Sequence, residues 1–331
     1  MANQTILIVG AGAVGQVYGH HLAKGGTEVG VWVRPVRRAA AEKGYSVTQI
    51  PLFGARRTER FVPKFVATNL SELPPKIDAV WLCLPTTSLD EELVRALADA
   101  CPGAVFVVLA PGHFVRTRID PIVGARRAVY GIIGMISYVA PLDGSNDPRE
   151  TSTPAGIAYH LDKTVLSGER AGAMRDALRQ GGVPVDVVAD ASIELELSSA
   201  VLMPNIACLD LVGYSFERYR SELASLAADA THESLTVAAA LTGQAPPLYA
   251  SFINSTTLQI GSWIAPRVTP LDVASFLRVH FTKVRKQTEL LLGSSVEEAR
   301  SRGLGCEAMA EVLERFAGER ADDGGAAPQR A

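Results

Sequence analysis

The chain has 331 residues, of which 47% are hydrophobic and 20% charged, with a formal net charge of −3. That length supports two domains with a sizeable core, and a slightly acidic balance excludes the strongly basic footprint of a nucleic-acid-binding protein. Cys83, Cys101, Cys208 and Cys306 lie far apart and form neither a C-x-x-C pair nor a zinc set, so they are read as reduced packing residues and no metal site is expected.

The first strand begins within a few residues of Met1, with no charged leader or apolar signal segment ahead of it. No uninterrupted apolar stretch approaches a membrane span, and the expectation is a cytoplasmic protein with no membrane partner. Residues 5–38 read TILIVGAGAVGQVYGHHLAKGGTEVGVWVRPVRR. Ile6–Val9 is a buried-strand run that stops at Gly10, where the chain must turn. Helical residues Val17–Lys24 follow, then the Gly25-Gly26 turn and a second strand, Val29–Val33.

Gly10, Gly12 and Gly15, with Ala11, Ala13 and Val14 between them, make a G-x-G-x-x-G turn in the context that gives the motif its meaning. Gly10 permits the turn, Gly12 admits a pyrophosphate close to the backbone, and Gly15 lets the helix pack on the sheet. The helix N-terminus adds unpaired N–H groups and a positive dipole end. At the end of the second strand, where an acid would accept bonds from a ribose 2′-OH, stands Arg34, with Arg37 and Arg38 close behind. Forked cationic donors suit a 2′-phosphate, so the cofactor expected is NADP, as NADPH.

Ala79–Leu84 and Ala104–Leu109 read as later parallel strands separated by a helical stretch, Leu89–Ala100. Ligands bind outside the carboxyl ends of such strands, so Leu84 and Pro85, and Pro111 and Gly112, are expected to border the cofactor. Tyr130–Val139 and Ile157–Leu166 can pair antiparallel, and Val183–Val188 closes a first domain at residues 1–188. Residues 189–316 read as helical, with stretches at Ile193–Phe216, Tyr219–Thr242, Leu271–Leu292 and Glu307–Phe316, and residues 317–331 as a disordered tail.

These elements resemble the ketopantoate reductase family over roughly the whole chain before the tail. The resemblance implies an α/β fold, with an N-terminal Rossmann dinucleotide-binding domain and an all-helical C-terminal domain like that of 6-phosphogluconate dehydrogenase. It also implies an NADPH-dependent reductase acting on a CH–OH/carbonyl pair, with a small-molecule substrate between the domains. The chain departs from the family at three places. Pro85 stands where a lysine is usual, Ala110-Pro111-Gly112 replaces Gln-Asn-Gly, and Leu197–Asn205 keeps only Asn205 of the pattern Lys-Leu-x-x-Asn-x-x-x-Asn-Pro. The family's proton-donating lysine is therefore missing.

Replacement chemistry is sought in the stretch 271–292, where Val273, Leu277, Phe281, Val284, Thr288 and Leu291 form an apolar stripe at helical spacing. His280, Lys283 and Gln287 flank it as a polar ridge, giving Lys283 and His280 as catalytic candidates beside Asn205. Each has a structural alternative: Lys283 as a snorkelling side chain, His280 as a border residue, and Asn205 as partner of carbonyls freed at Pro204. His113 is a further loop candidate, and the adjacent His20 and His21 cannot share one helix face. An imine or opine-type reductase and a non-catalytic NADP sensor stay open as alternatives, and the broad apolar helix faces are compatible with a homodimer.

Overall fold

Ile6, Leu7, Ile8 and Val9 form an unbroken apolar run because both faces of their strand are covered. In the computed structural model, which describes residues 4–322, β1 (Thr5–Val9) turns Ile6 and Ile8 to one core and Leu7 and Val9 to the other. The chain continues through α1 (Ala13–Lys24), β2 (Glu28–Trp32), α2 (Arg38–Lys43), β3 (Tyr45–Gln49), β4 (Arg57–Phe61), β5 (Phe65–Ala67) and β6 (Ala79–Leu82). Then come α3 (Glu91–Ala100), β7 (Val105–Val108), α4 (Phe114–Val123), β8 (Ala128–Ile132), β9 (Met135–Ala140) and α5 (Pro148–Thr151). The first unit ends with β10 (Gly156–Leu161), β11 (Thr164–Ser167), α6 (Ala171–Gln180) and β12 (Val185–Val187).

Eight strands make one sheet in the order β12-β11-β8-β7-β6-β1-β2-β5. The pairs from β8 to β5 are parallel, with Ile6 opposite Val29 on one side and Ala79 on the other, and β11 returns antiparallel to β8. Tyr18 and Leu22 of α1 and Met174 and Leu178 of α6 bury one face, while Val94 and Leu97 of α3 and Ile119 of α4 bury the other. The doubly wound first unit followed by helices is the fold class expected from the sequence.

Four more strands, in the order β4-β3-β10-β9, form a second sheet whose Val47, Ile157 and Tyr159 pack on Val17 of α1. Against this sheet the two histidines of α1 take different partners. His20 bonds Glu59 through Nε2 at 2.9 Å; His21 donates from Nδ1 to the Gly181 carbonyl at 2.8 Å and accepts at Nε2 from the Tyr159 hydroxyl at 3.1 Å. Burial is the largest influence on both, and it holds their pKa values below the ordinary one despite the Glu59 carboxylate.

The chain divides into two compact units after Leu195, inside α7 (Ala191–Leu211). The second unit continues with α8 (Phe216–Arg218), a π-helical turn Tyr219–Leu223, α9 (Ala224–Thr242), a 3-10 turn Leu248–Phe252, α10 (Ser255–Val268), α11 (Val273–Lys283), α12 (Arg285–Ser301) and α13 (Glu307–Asp322). Helix α13 runs six residues past Phe316 into the stretch expected to be disordered, whose remainder, 323–331, lies outside the described residues.

Helix α7 has the length of a membrane span and a hydropathy of 1.2, although Glu194 and Glu196 interrupt its apolar sequence; 44% of that window is buried within the protein. One expectation changes here. The stretch 271–292 is not one helix, because Val284 (φ −108°, ψ 20°) separates α11 from α12. A single helical wheel across that break is invalid, so His280 and Lys283 do not share a helix face with Gln287. The break adjoins Arg285, whose Nε donates to Asp210 at 3.0 Å and Nη2 to the Phe316 carbonyl at 2.7 Å, with the guanidinium over the Phe316 ring. Asp210 also accepts from Tyr214 at 2.8 Å, so this ion pair joins α7, α12 and α13.

Asp210→Ala, which removes the carboxylate paired with the mostly buried guanidinium of Arg285, is expected to cost about 3 kcal/mol. The check is a lowered urea midpoint at unchanged slope, and an unchanged midpoint contradicts the tie. The histidines give a pH dependence. With folded pKa values below 6.5, the unfolded chain binds more protons as pH falls through that value, so stability holds above pH 6.5 and is lost below it. Urea midpoints between pH 7.5 and 5 should fall on acidification, and less so in His21→Gln; a rising midpoint contradicts the assignment.

Candidate functional site: a dinucleotide cradle

The turn from β1 into α1 is forced by contact with the end of β6. Gly10 has φ +94°, and a Cβ there would lie 2.6 Å from the Cys83 carbonyl oxygen and 2.8 Å from Leu84 Cδ2. A Cβ on Gly15 would lie 2.2 Å from the Gly10 carbonyl oxygen, so the helix seats directly on the turn. Gly12 differs: a Cβ there would meet nothing within 4 Å. The protein leaves open space above that backbone, which is the room a closely approaching phosphate requires.

That space opens into a cavity of about 720 Å³, within the range of small-molecule sites. Its floor is Val9–Ala13 and Gln16, and Arg34 and Arg37 stand on its wall with Tyr45, Leu84 and Pro85. Helix α1 has no side-chain cap and no acid in its first turn, so its positive end faces the cavity without local neutralisation. Gln16 holds the loop by donating from Nε2 to the Ala11 carbonyl at 2.9 Å. Burial pushes the Cys83 thiol up to about 12, which keeps it an inert neutral group beneath the turn.

The cavity thus brings together Gly10, Ala11, Gly12, Ala13, Arg34, Leu84 and Pro85 of the expected cofactor residues. Val14 and Gly15 lie behind the turn in α1. Pro111 and Gly112 do not line the cavity; their loop is tied to the β6 loop by Thr86 Oγ1, which donates to the Pro111 carbonyl at 2.5 Å. Arg38 is turned away, its guanidinium held by Glu72, Thr68 and Glu42. Arg37 takes the place on the wall that the sequence suggested for Arg38. Arg34 is exposed, and its guanidinium has no hydrogen bond or ion pair among the described residues.

The catalytic candidates belong to the helical unit, where they meet different fates. Asn205 Nδ2 donates to the Val201 carbonyl at 2.7 Å and Thr231 Oγ1 at 3.0 Å, while Oδ1 accepts from the Tyr219 hydroxyl at 2.5 Å. Its amide is satisfied within the fold and fits the structural alternative of tying α7 to α9 and the π-turn. His280 sits between Phe276 and Phe281, with ring centroids at 5.4 and 4.9 Å. Burial first, then the Lys283 charge, lowers its pKa and keeps the ring neutral. Lys283 is exposed at the end of α11. His113 stacks edge-on against Phe114 at the start of α4.

Glu196 was passed over in the sequence, yet its Oε1 is excluded from solvent and has no hydrogen-bond partner. The signal was present. Setting Leu197 on the leucine of the family pattern, one residue from the register chosen above, places Glu196 in the lysine position. Among the described residues no group of three or more His, Cys, Asp or Glu gathers as a metal site.

The doubly wound sheet, the open backbone at Gly12 and the arginine wall define a dinucleotide-binding protein of the Rossmann class. Residues 6–140 match the family model described as ketopantoate reductase PanE/ApbA. The fold is similar to that of 2-dehydropantoate 2-reductase from Methylococcus capsulatus, at TM-score 0.67 and 15% identity over 97% of this chain and 98% of that one. A PanE/ApbA family ketopantoate reductase from Ralstonia eutropha JMP134 superimposes at 0.70 with 16% identity, covering 97% and 100%. D-mandelate dehydrogenase in a ternary structure with NADH and anilino(oxo)acetate superimposes at 0.66 with 13% identity, covering 96% and 99%. No curated protein sequence matches the chain.

Arg34→Asp is expected to weaken NADPH binding tenfold or more, about the value of one charge-assisted bond, with little effect on NADH. Arg38→Ala should leave NADPH affinity nearly unchanged, because that guanidinium is already paired with Glu72. Fluorescence titration of both cofactors checks the pair, and equal losses for NADPH and NADH in Arg34→Asp contradict the assignment of the 2′-phosphate to this wall.

Proposed function

We propose that this protein is an NADPH-dependent reductase of a small 2-oxo acid or a related carbonyl compound. The observation that carries the reading is the unbonded guanidinium of Arg34 on the wall of a cavity that starts at the open backbone of Gly12. A 2′-phosphate supplies the anion that such a donor lacks, and no carboxylate lines the cavity to repel it. Backbone N–H groups at the start of α1 hold the pyrophosphate, and Arg34 with Arg37 holds the phosphate on the ribose. When bound, the reduced nicotinamide supplies a hydride to a carbonyl carbon.

The substrate class is supported by the family model matched over residues 6–140 and by the neighbours named for 2-dehydropantoate and mandelate, both carriers of a carboxylate beside the reacting carbon. Lys283, an exposed amine at the end of α11, is the group assigned in this proposal to a substrate carboxylate.

The experiment is a fluorescence titration with NADPH and NADH, followed by oxidation of bound NADPH against a panel of 2-oxo acids, ketopantoate included, and imines. NADPH should bind more tightly and be oxidised by one or more 2-oxo acids. Turnover confined to imines selects the imine reading, and tight NADPH binding with no turnover selects a sensor.

A further inference from the structure

We propose that the outer face of α10 is a dimerisation surface, taking the same face of a second copy of this chain across a two-fold axis. The proposal concerns the helical unit alone and does not rest on the reductase reading.

The helix packs against its own pattern. Ile260, Trp263, Ile264 and Val268 recur at three- and four-residue spacing, which on an amphipathic helix marks the face turned to the core. In α10 they are 53, 52, 40 and 68% exposed, while the residue buried in this helix is Ser262. Ser262 closes its hydroxyl on the Gln259 carbonyl at 2.9 Å, and Gln259 donates from Nε2 to the Arg220 carbonyl of the π-turn at 3.0 Å. The polar side of α10 is thus the one tied to the fold. The 3-10 turn ahead of the helix adds Leu248, Tyr249 and Phe252, also exposed, and Thr257 Oγ1 donates to the Phe252 carbonyl at 2.7 Å, holding that turn to the start of α10.

The extent of this surface points to a partner. Those seven residues leave on the order of 700 Å² open. The largest apolar patch of a typical monomer is roughly 300–600 Å², and each partner in a standard interface contributes about 800 Å². The composition is that of an interface core, poor in charge and rich in aromatic residues and arginine. Residues 246–271 are largely exposed, yet they carry one charge, Arg267, in a chain that is 20% charged. Its guanidinium lies 4.1 Å over the Trp263 ring and donates to the Trp263 carbonyl. At Gly261, on the edge of the stripe, a Cβ would meet nothing within 4 Å. A glycine inside a helix weakens it, and no neighbour in the fold requires this one; it leaves the backbone open to close approach from outside.

A second copy is the occupant this face fits. Residues 1–3 and 323–331, which lie outside the described part of this chain, contain one large apolar side chain, Met1, too little to cover the stripe. A helix that lies on a membrane carries lysine and arginine along its polar side, whereas the polar side of α10 offers Ser262 and Gln259 and is turned to the fold. A face with one charge can meet itself without setting like charges together, and an isologous contact needs only that self-complementarity. With α10 antiparallel to its copy and the axis beside Ser262, Ile260 meets Ile264, and the Trp263 ring of the other copy is seated over the open backbone of Gly261. The two Arg267 residues then stand roughly 15 Å apart along the helices, beyond the screening length at physiological salt.

The test is sedimentation velocity of the full chain over a concentration series reaching about 50 μM, since interfaces of this size bind at micromolar dissociation constants or tighter. The wild type is expected to be a dimer at the upper end. Trp263→Ala should weaken the dimer about 30-fold or more, the effect of a central aromatic anchor, and Ile264→Asp should leave a monomer throughout. Gly261→Leu separates the interface from the fold: its side chain meets no atom of its own chain and favours the helix, so circular dichroism should match the wild type while the dimer weakens. Phe53→Asp, 93% exposed between β3 and β4 of the first unit, should keep the dimer intact. A wild type that stays monomeric across the series overturns the proposal, as does a dimer that all three α10 variants leave unchanged. A monomer that binds vesicles of phosphatidylcholine and phosphatidylserine, and loses that binding in Trp263→Ala, overturns it in favour of a membrane surface.

Discussion

The first unit depends on one close approach, that of the Gly10 backbone to the Cys83 carbonyl at the end of β6. Because no side chain fits there, the chain leaves β1, turns against the neighbouring strand and enters α1 with its first N–H groups aimed outward. Gly15 then lets the helix sit on the same turn. The anion-binding end of the helix, the open backbone of Gly12 and the second strand that delivers Arg34 are all placed by this contact. A binding site built this way is rigid before any ligand arrives, since its floor is also the packing of the central strands.

The helical unit is organised on a different principle. Its long apolar helices can pack in many ways, and a few buried polar ties select one. Asn205 joins α7 to α9 and the π-turn, and Asp210 joins α7 to α12 and α13 through Arg285. In each tie the polar atoms that the fold buries are paired by the fold. Glu196 breaks this rule on the same helix, and a polar group that the fold leaves unpaired is one that a ligand can complete.

Much of the first unit was legible in the sequence, because local constraints suffice there. A strand covered on both faces must be apolar at every position, and a G-x-G-x-x-G turn between such a strand and a helix has few other uses. Half of the second sheet was legible, since the antiparallel pairing expected of Tyr130–Val139 and Ile157–Leu166 appears as β9 on β10. The other half was not: β3 is short and only partly buried and β4 largely exposed, with Val47, Thr48 and Phe61 as their buried residues, so no continuous pattern marks them. The break at Val284 was hidden for a related reason. No glycine or proline announces it, and it adjoins an arginine engaged by residues 75 positions earlier and 31 later.

The sequence by itself therefore determined the doubly wound first unit and the glycine turn that opens α1, since each follows from neighbours along the chain. Tertiary structure alone decided which second arginine stands on the cavity wall, because Glu72 holds Arg38 away while Arg37 lines the space. It also decided that the Asn205 amide is bonded within the fold and that Glu196 Oε1 is not. Those distinctions rest on which polar atoms meet across the fold, and residue order does not specify such pairings until the chain has packed.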